Sequence, residues 1–322
     1  MGRCELLIRA RTHAKVNLHL GVEAARPDGF HELATVFQSL NISDVVSLET
    51  LEDSTPAAMT TGPVVQELRA SGTYAAGVPE NDKNLAWRAV EAVADAVRGE
   101  RELALPKVRL QLEKGIPAAG GMAGGSADAA AALRLAAHAF ADFGAVSEEE
   151  LLTLAARLGS DVPFTLIGGT ALGTGRGEKL APMLSCGTYT WAIITNAEGL
   201  STPAVFAKID ELRAAGKGSN PTMDTSAVAQ ALMSGRPEAL AKVLRNDLQA
   251  ATLSLRPDLR KILDTGMAAG ALTGIVSGSG PTCAFLCEDE ETAGEVVAQV
   301  MFDNKGTRGI VTTSPAPGIE VI

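Results

Sequence analysis

Residues 115–140 read GIPAAGGMAGGSADAAAALRLAAHAF, with five glycines in the first eleven positions and an alanine-rich run behind them. Glycine weakens helices and strands through its conformational entropy. A cluster of it directly before a strong helix former therefore has one of two causes: tight packing of elements, or a loop whose bare backbone approaches a ligand. The preceding KVRLQLEK (107–114) alternates as a strand, so the order is strand, glycine loop, helix. In that order the loop N–H groups and the helix N-terminus face an anion. Ser126 is placed to cap the helix or to touch a phosphate. Two familiar phosphate motifs do not fit: Gly120 and Gly125 match GxxxxGK[ST], but Ser126 stands at the lysine position, and GxGxxG is absent. Close packing through small residues stays open on these residues alone. A second small-residue turn, SGSGPTCAF (277–285), also borders a predicted strand, and two such turns point to a shared anion site.

The 322 residues suit one large domain or two moderate ones, and 46% apolar with 20% charged residues is the balance of a soluble globular chain. A net charge of −10 disfavours nucleic acid or an anionic membrane as partner, while leaving room for a local basic pocket. The four cysteines, Cys4, Cys186, Cys283 and Cys287, show no metal-ligand spacing; Cys283 and Cys287 alternate with Phe285 and read as packing. There is no signal-peptide run and no apolar stretch of about 18 residues. Leu6 breaks the myristoylation pattern, so a cytoplasmic protein with reduced thiols is expected. Nothing in the sequence marks an oligomeric state.

Along the chain, residues up to 55 read as strands. In HAKVNLHLGV (13–22), Val16, Leu18 and Leu20 share one face and Lys15, Asn17 and His19 the other. A Pro-Asp-Gly turn separates this from ATVFQSL and DVVSLET. Residues 52–82 read as irregular. A helix is predicted from Leu85 to a stop at Gly99, and another in SEEELLTLAARLG, where Ser147 and Glu150 form a capping box and Gly159 ends it. Beyond 170 come strands in LAPMLS and TWAIITN, then a helix with Thr202 as N-cap and Pro203 at its first position. Helices continue to Gly270. A strand (272–276), a glycine turn, a strand (282–287), a helix (290–302) and a closing strand follow. This order predicts an α+β protein of two lobes divided near 170, with a surface loop at 216–222.

Other candidates are bland when read singly. Lys15 and Asn17 fit a solvated strand face. Asp161 in GSDVPF fits a turn, and His31 fits a surface position after a turn.

Taken together, PAAGGMAGGSADAA, AKVNLHL, RPDGFHEL, NLAW, GSDVPF and SGSGPTCAF, in this order and spacing, resemble the GHMP kinase family. The resemblance spans nearly the whole chain. The glycine segment marks the superfamily, while AKVNL with DGFHEL resembles the branch acting on a cytidine diphosphate derivative of a small alcohol in isoprenoid-precursor synthesis. It implies an N-terminal lobe of the ribosomal-protein-S5 type (1–170, with 308–322 returning to it) and a ferredoxin-like C-terminal lobe (171–307). The active site would lie between them, using ATP and Mg²⁺. By resemblance, Lys15 and Asp161 are the catalytic pair. Pro117, Ala118, Ala119, Gly120, Gly121, Met122, Ala123, Gly124, Gly125, Ser126 and Ala127 hold the ATP phosphates, with Lys114 and Asn84 near the nucleotide. Asn17, Phe30, His31, Thr202 and Phe206 belong to the acceptor side. The chain departs from the pattern in places. Ala119 and Ala123 stand where many relatives have Gly, a harmless change only at negative φ, and Phe30 stands where Tyr is frequent. Gly125 takes the place of a serine that ligates magnesium in other GHMP kinases, so no protein metal ligand is assigned. The rival expectations are a homoserine- or mevalonate-type kinase, whose substrates have no base to stack, and an inactive nucleotide-binding relative. Retention of Lys15 and Asp161 weighs against the second.

Overall fold

In the computed structural model, residues 6–51, 58–118, 120–196 and 198–322 are described, so Cys4 and Ala119 lie outside the described residues. Strands Leu7–Ala25 and His31–Thr50 form a long antiparallel pair from Leu7↔Glu49 to Ala25↔His31, with register shifts between His13 and Ala14, Asn17 and His19, and Val22 and Ala25. The turn between them has Gly29 at φ +80°, where a side chain would be strained. The two segments expected after that turn are one continuous strand. Val16 and Leu18 are fully buried against Tyr189 and Trp191 of the second lobe. Lys15 and Asn17, which fit a solvated face in sequence, are buried, and so is His19 beside them. The strand is covered on both sides, which alternation alone does not reveal.

The first sheet runs Arg245–Asn246, Leu7–Ala25, His31–Thr50, Val108–Glu113, Val65–Ser71. Val65–Ser71 lies inside the stretch read as irregular. It pairs parallel with Val108–Glu113, and a register shift between Val65 and Glu67 breaks the alternation that would have marked it. Helices Leu85–Arg98, Gly124–Ala139, Glu148–Leu158 and Val162–Ile167 bury Val90, Val93, Leu133 and Leu166 with Leu110 and Leu112 of the sheet. Ala129, Ala130, Ala131, Ala132 and Ala136 are fully buried, so their small side chains let helix Gly124–Ala139 lie close to its neighbours. The capping box at Ser147 and Glu150 is formed, and Gly99 and Gly159 cap their helices as expected.

The second sheet has the order Thr273–Val276, Cys283–Cys287, Tyr189–Asn196, Thr307–Ser314, all antiparallel. By chain order within the lobe that is second, third, first, fourth, the ferredoxin-like arrangement. Helices Asp258–Ala268 and Glu290–Asp303 pack over Phe285. Cys283 and Cys287 join that core, and burial pushes their thiols up to about 12 and about 11, so neither is a ready nucleophile.

The first sheet continues past residue 170, because Thr170–Gly175 pairs with His31–Thr50 and Lys179–Pro182 extends it. Of the C-terminal segment, Thr307–Ser314 stays with the second sheet and Glu320–Val321 returns to pair with Ala10 and Arg11. Among the described residues no helix is long and apolar enough to cross a membrane.

Candidate active site

The glycine loop and the turn at 277–282 meet face to face. Ser277 Oγ donates to Gly121 O at 2.9 Å and Thr282 Oγ1 donates to Gly120 O at 2.9 Å. A Cβ on Gly120 would collide with the Gly280 carbonyl, and one on Gly121, at φ +99°, with the Ser277 carbonyl. These two glycines serve close backbone approach between the lobes. Gly124 and Gly125 have only ordinary or tight side-chain neighbours and open onto a cavity.

Helix Gly124–Ala139 starts after Ala123, which is its N-cap and takes the left-handed conformation at φ 59°. The condition under which alanine would be harmless here is not met: an L-residue in this region costs about 1–2 kcal/mol. No side chain caps the helix, and its first turn has no acidic residue. Ser126 is therefore inside the first turn and not at the cap. The first-turn amides are left without helical acceptors, next to a positive dipole end.

Two cavities open on this loop. One, of about 640 Å³, is lined by Lys15, Asn17, Phe30, His31, Ser126, Thr202 and Phe206 among others. The other, of about 450 Å³, is lined by Asn84, Lys114, Pro117, Ala118, Gly120, Ala123, Gly124, Gly125 and others. Gly121 and Asp161 line both. Met122 and Ala127, expected among the phosphate-holding residues, are fully buried in the core, so they can offer only backbone. Met122 O accepts from Lys15 N at 3.2 Å, which ties the loop to the first strand.

At the junction, Lys15 Nζ donates to Asn17 Oδ1 at 2.7 Å and lies 3.6 Å from Asp161 Oδ2. Asn17 Nδ2 donates to Thr35 Oγ1 at 2.8 Å, and Thr35 Oγ1 donates to His19 O, so the lysine is held by a chain of bonds across two strands. Asp161 precedes helix Val162–Ile167, makes no capping bond, and its side chain is 33% exposed where that of Lys15 is 5%. A turn residue fixed for structure would bond its own backbone. Here the carboxylate is left open to the cavities.

On the wall of the first cavity, Phe206 packs its ring 4.9 Å from that of His31, tilted by 42°. His31 Nε2 bonds Asp210 Oδ1 at 3.0 Å, which leaves Nδ1 as the ring's other polar atom. Phe30 is half exposed, with the Arg176 guanidinium 5.1 Å from its centroid. Among the described residues no ring contact joins Phe30 to Phe206. Thr202 is the first residue of its helix and Ser201 the N-cap, so its hydroxyl is free to bond Ser279 Oγ at 2.8 Å.

Asn84 lines the second cavity with both ends of its amide engaged: Oδ1 accepts from Ala86 N at 2.8 Å and Nδ2 donates to Pro79 O at 2.7 Å. Lys114 is buried between Asp44 and Asp128, within hydrogen-bond reach of both. Asp44 also accepts from Gly115 N and Ile116 N, each at 2.7 Å, fixing the entry to the glycine loop. The Lys114 ammonium is thus committed to two carboxylates. Burial, partly offset by Lys114 and reinforced by Asp44, pushes the Asp128 carboxyl up to about 8. Asp128 Oδ1 is buried with no hydrogen-bond partner among the described residues.

The sequence reading missed Asp44, Asp128, Asp210, Thr35 and Arg176. Asp128 had a local signal, an acid directly before a run of four alanines. The others are distant in sequence from their partners and gave none.

Residues 84–169 match the GHMP kinases N terminal domain and residues 228–304 the GHMP kinases C terminal domain. A 4-diphosphocytidyl-2-C-methyl-D-erythritol kinase from Corynebacterium efficiens is 53% identical over 97% of this chain and 95% of its own length. One from Nocardia farcinica is 48% identical over 98% and 96%. Among solved structures, a 4-(cytidine 5'-diphospho)-2C-methyl-D-erythritol kinase superposes with TM-score 0.71 at 28% identity, covering 97% of this chain and 99% of that one. L. major mevalonate kinase reaches the same TM-score at 15% identity, over 96% of each chain, which speaks for the fold alone. With full-length relatives of this identity and both domains matched, the chain belongs to the GHMP kinase family.

Proposed function

We infer that the chain transfers the γ-phosphoryl group of ATP to the 2-hydroxyl of 4-diphosphocytidyl-2-C-methyl-D-erythritol, giving the 2-phosphate and ADP for isoprenoid-precursor synthesis. The observation that carries this reading is the pair of cavities sharing Gly121 and Asp161. A phosphoryl group passing in line from one ligand to another needs two sites meeting at one point. The relatives at about half identity supply the substrate's name.

In this reading ATP occupies the smaller cavity, with its phosphates on the amides of Gly124, Gly125 and Ser126. The acceptor occupies the larger one, its base beside Phe206, His31 and Phe30. Asp161 takes or orients the proton of the attacking hydroxyl. Lys15, 3.6 Å from that carboxylate, neutralises charge developing on the phosphoryl oxygens. Mg²⁺ fits as the ATP complex: it commonly takes one or two carboxylates and leaves the rest of its shell to phosphate and water. Among the described residues no group of three acids, histidines or cysteines is arranged for a metal, and Asp161 is the carboxylate open to one at the junction. Bound there, Mg²⁺ would offset charge on the transferring phosphates.

A coupled ADP-release assay with this acceptor beside mevalonate and homoserine tests the reading. Turnover with the cytidylylated acceptor alone is expected. Turnover with mevalonate or homoserine in its place contradicts the assignment.

A further inference from the structure

The acceptor named above carries a diphosphate, so the larger cavity has to meet about two negative charges. The charged residues on its wall are Lys15, Asp161, His31, Asp210 and Arg176. Lys15 faces Asp161, and His31 faces Asp210. In the turn before Phe30, Arg26 is taken by Asp28 and Glu32, each at 3.0 Å. Arg176 lines the cavity, and no ion pair or side-chain hydrogen bond engages its guanidinium among the described residues.

Its backbone is fixed while its side chain is free. Arg176 sits in the turn joining Thr170–Gly175 to Lys179–Pro182. Gly175 N donates to Glu32 Oε1 at 2.8 Å, Arg176 N to Glu178 Oε2 at 2.6 Å, and Gly177 N to Thr174 O at 3.0 Å. Gly175 and Gly177 both have positive φ, so the turn has little room for other residues. From this base the guanidinium reaches over the half-exposed ring of Phe30.

We propose that Arg176 is the residue that binds the diphosphate of the acceptor, exchanging the Phe30 ring for phosphate oxygens as the substrate enters. This rests on the acceptor assigned above. A guanidinium presents paired N–H donors that match two phosphate oxygens, and its attraction to an aromatic face is weak enough at an exposed site to be given up. The exchange also bares one face of Phe30 for the base. Arg176 thereby distinguishes a cytidine diphosphate ester from an acceptor lacking the diphosphate.

The test compares wild type, Arg176→Gln and Arg176→Lys. Arg176 is exposed, so the variants are expected to keep the wild-type melting temperature. Loss of a charged hydrogen-bond partner should raise the acceptor KM about 10–100-fold in Arg176→Gln, with kcat and the KM for ATP nearly unchanged. Arg176→Lys should recover part of it. As competitive inhibitors, CDP should beat cytidine clearly on wild type and lose most of that advantage on Arg176→Gln. If wild type turns over the acceptor but Arg176→Gln keeps both its KM and the CDP preference, the role of Arg176 is overturned while the acceptor assignment stands. If wild type neither uses the acceptor nor prefers CDP, the assignment fails and the proposal falls with it.

Discussion

Lys15 Nζ and Asp161 Oδ2 stand 3.6 Å apart across the point where the two cavities join, one side chain buried and the other open. The burial difference suits the roles proposed for them. A lysine held by Asn17 delivers its charge at a fixed place without reorganisation. A carboxylate reached by solvent and substrate can exchange a proton.

Gly124 borders the smaller cavity and stands at the start of a helix without requiring positive φ. A valine there meets Ile116 Cγ2, 3.2 Å from the position of its Cβ, and fills the space proposed for the ATP phosphates. Gly124→Val is expected to lose detectable ATP binding by calorimetric titration while its circular dichroism spectrum remains that of wild type. Normal binding would make the glycine a packing device.

Ala123 holds φ 59° without a compensating cap bond. Ala123→Gly relieves about 1–2 kcal/mol of left-handed strain and gives back about 0.4–1 kcal/mol in unfolded-chain entropy. The variant should be as stable as wild type or up to about 1.6 kcal/mol more stable in urea titration. Destabilisation would mean that the alanine methyl is held by packing.

Much of the fold was legible because its signals are local. Gly99, the Ser147–Glu150 box and the alanine run each act within a few residues, and each element formed. The failures have one cause, which is tertiary cover. Lys15 and Asn17 read as solvated because alternation cannot tell a solvent face from a cleft wall. Val65–Ser71 was lost to a register shift, and the Met122 side chain lies in the core, which leaves only its backbone to face the loop. The junction residues were legible by resemblance. Of the acids that hold Lys114 and His31, Asp44 and Asp210 become visible only when the chain is folded, whereas Asp128 stands out beside the alanine run.

Phe206 packs on His31, and His31 is oriented by Asp210. If a base stacks against this pair, the contact is worth about 1–3 kcal/mol, by analogy with aromatic platforms for single-stranded nucleic acids. Phe206→Ala should raise the KM of the cytidylylated acceptor much more than it lowers kcat. An unchanged KM would move the cytidine pocket elsewhere.

The buried cluster predicts a pH effect on stability. Burial beside Asp44 raises the Asp128 carboxyl to about 8 in the folded chain. A carboxyl raised on folding favours the fold in acid; that contribution is complete below the ordinary carboxyl value of about 4 and is lost progressively as pH rises to about 8. Melting temperatures of wild type and Asp128→Asn, measured from pH 5 to pH 8.5, should diverge, with wild type falling relative to the variant as pH increases. Parallel curves would contradict the assignment.

The central claim is that Asp161 acts on the reacting hydroxyl, and the most direct measurement is kcat, ATP affinity and melting temperature on one preparation of Asp161→Asn. A carboxylate base contributes about 10²–10⁴-fold, or about 3–5.5 kcal/mol of barrier. The expected result is a kcat loss of that size with ATP affinity and melting temperature close to wild type. A destabilised variant that retains its specific activity would show Asp161 to be a turn residue and contradict the account.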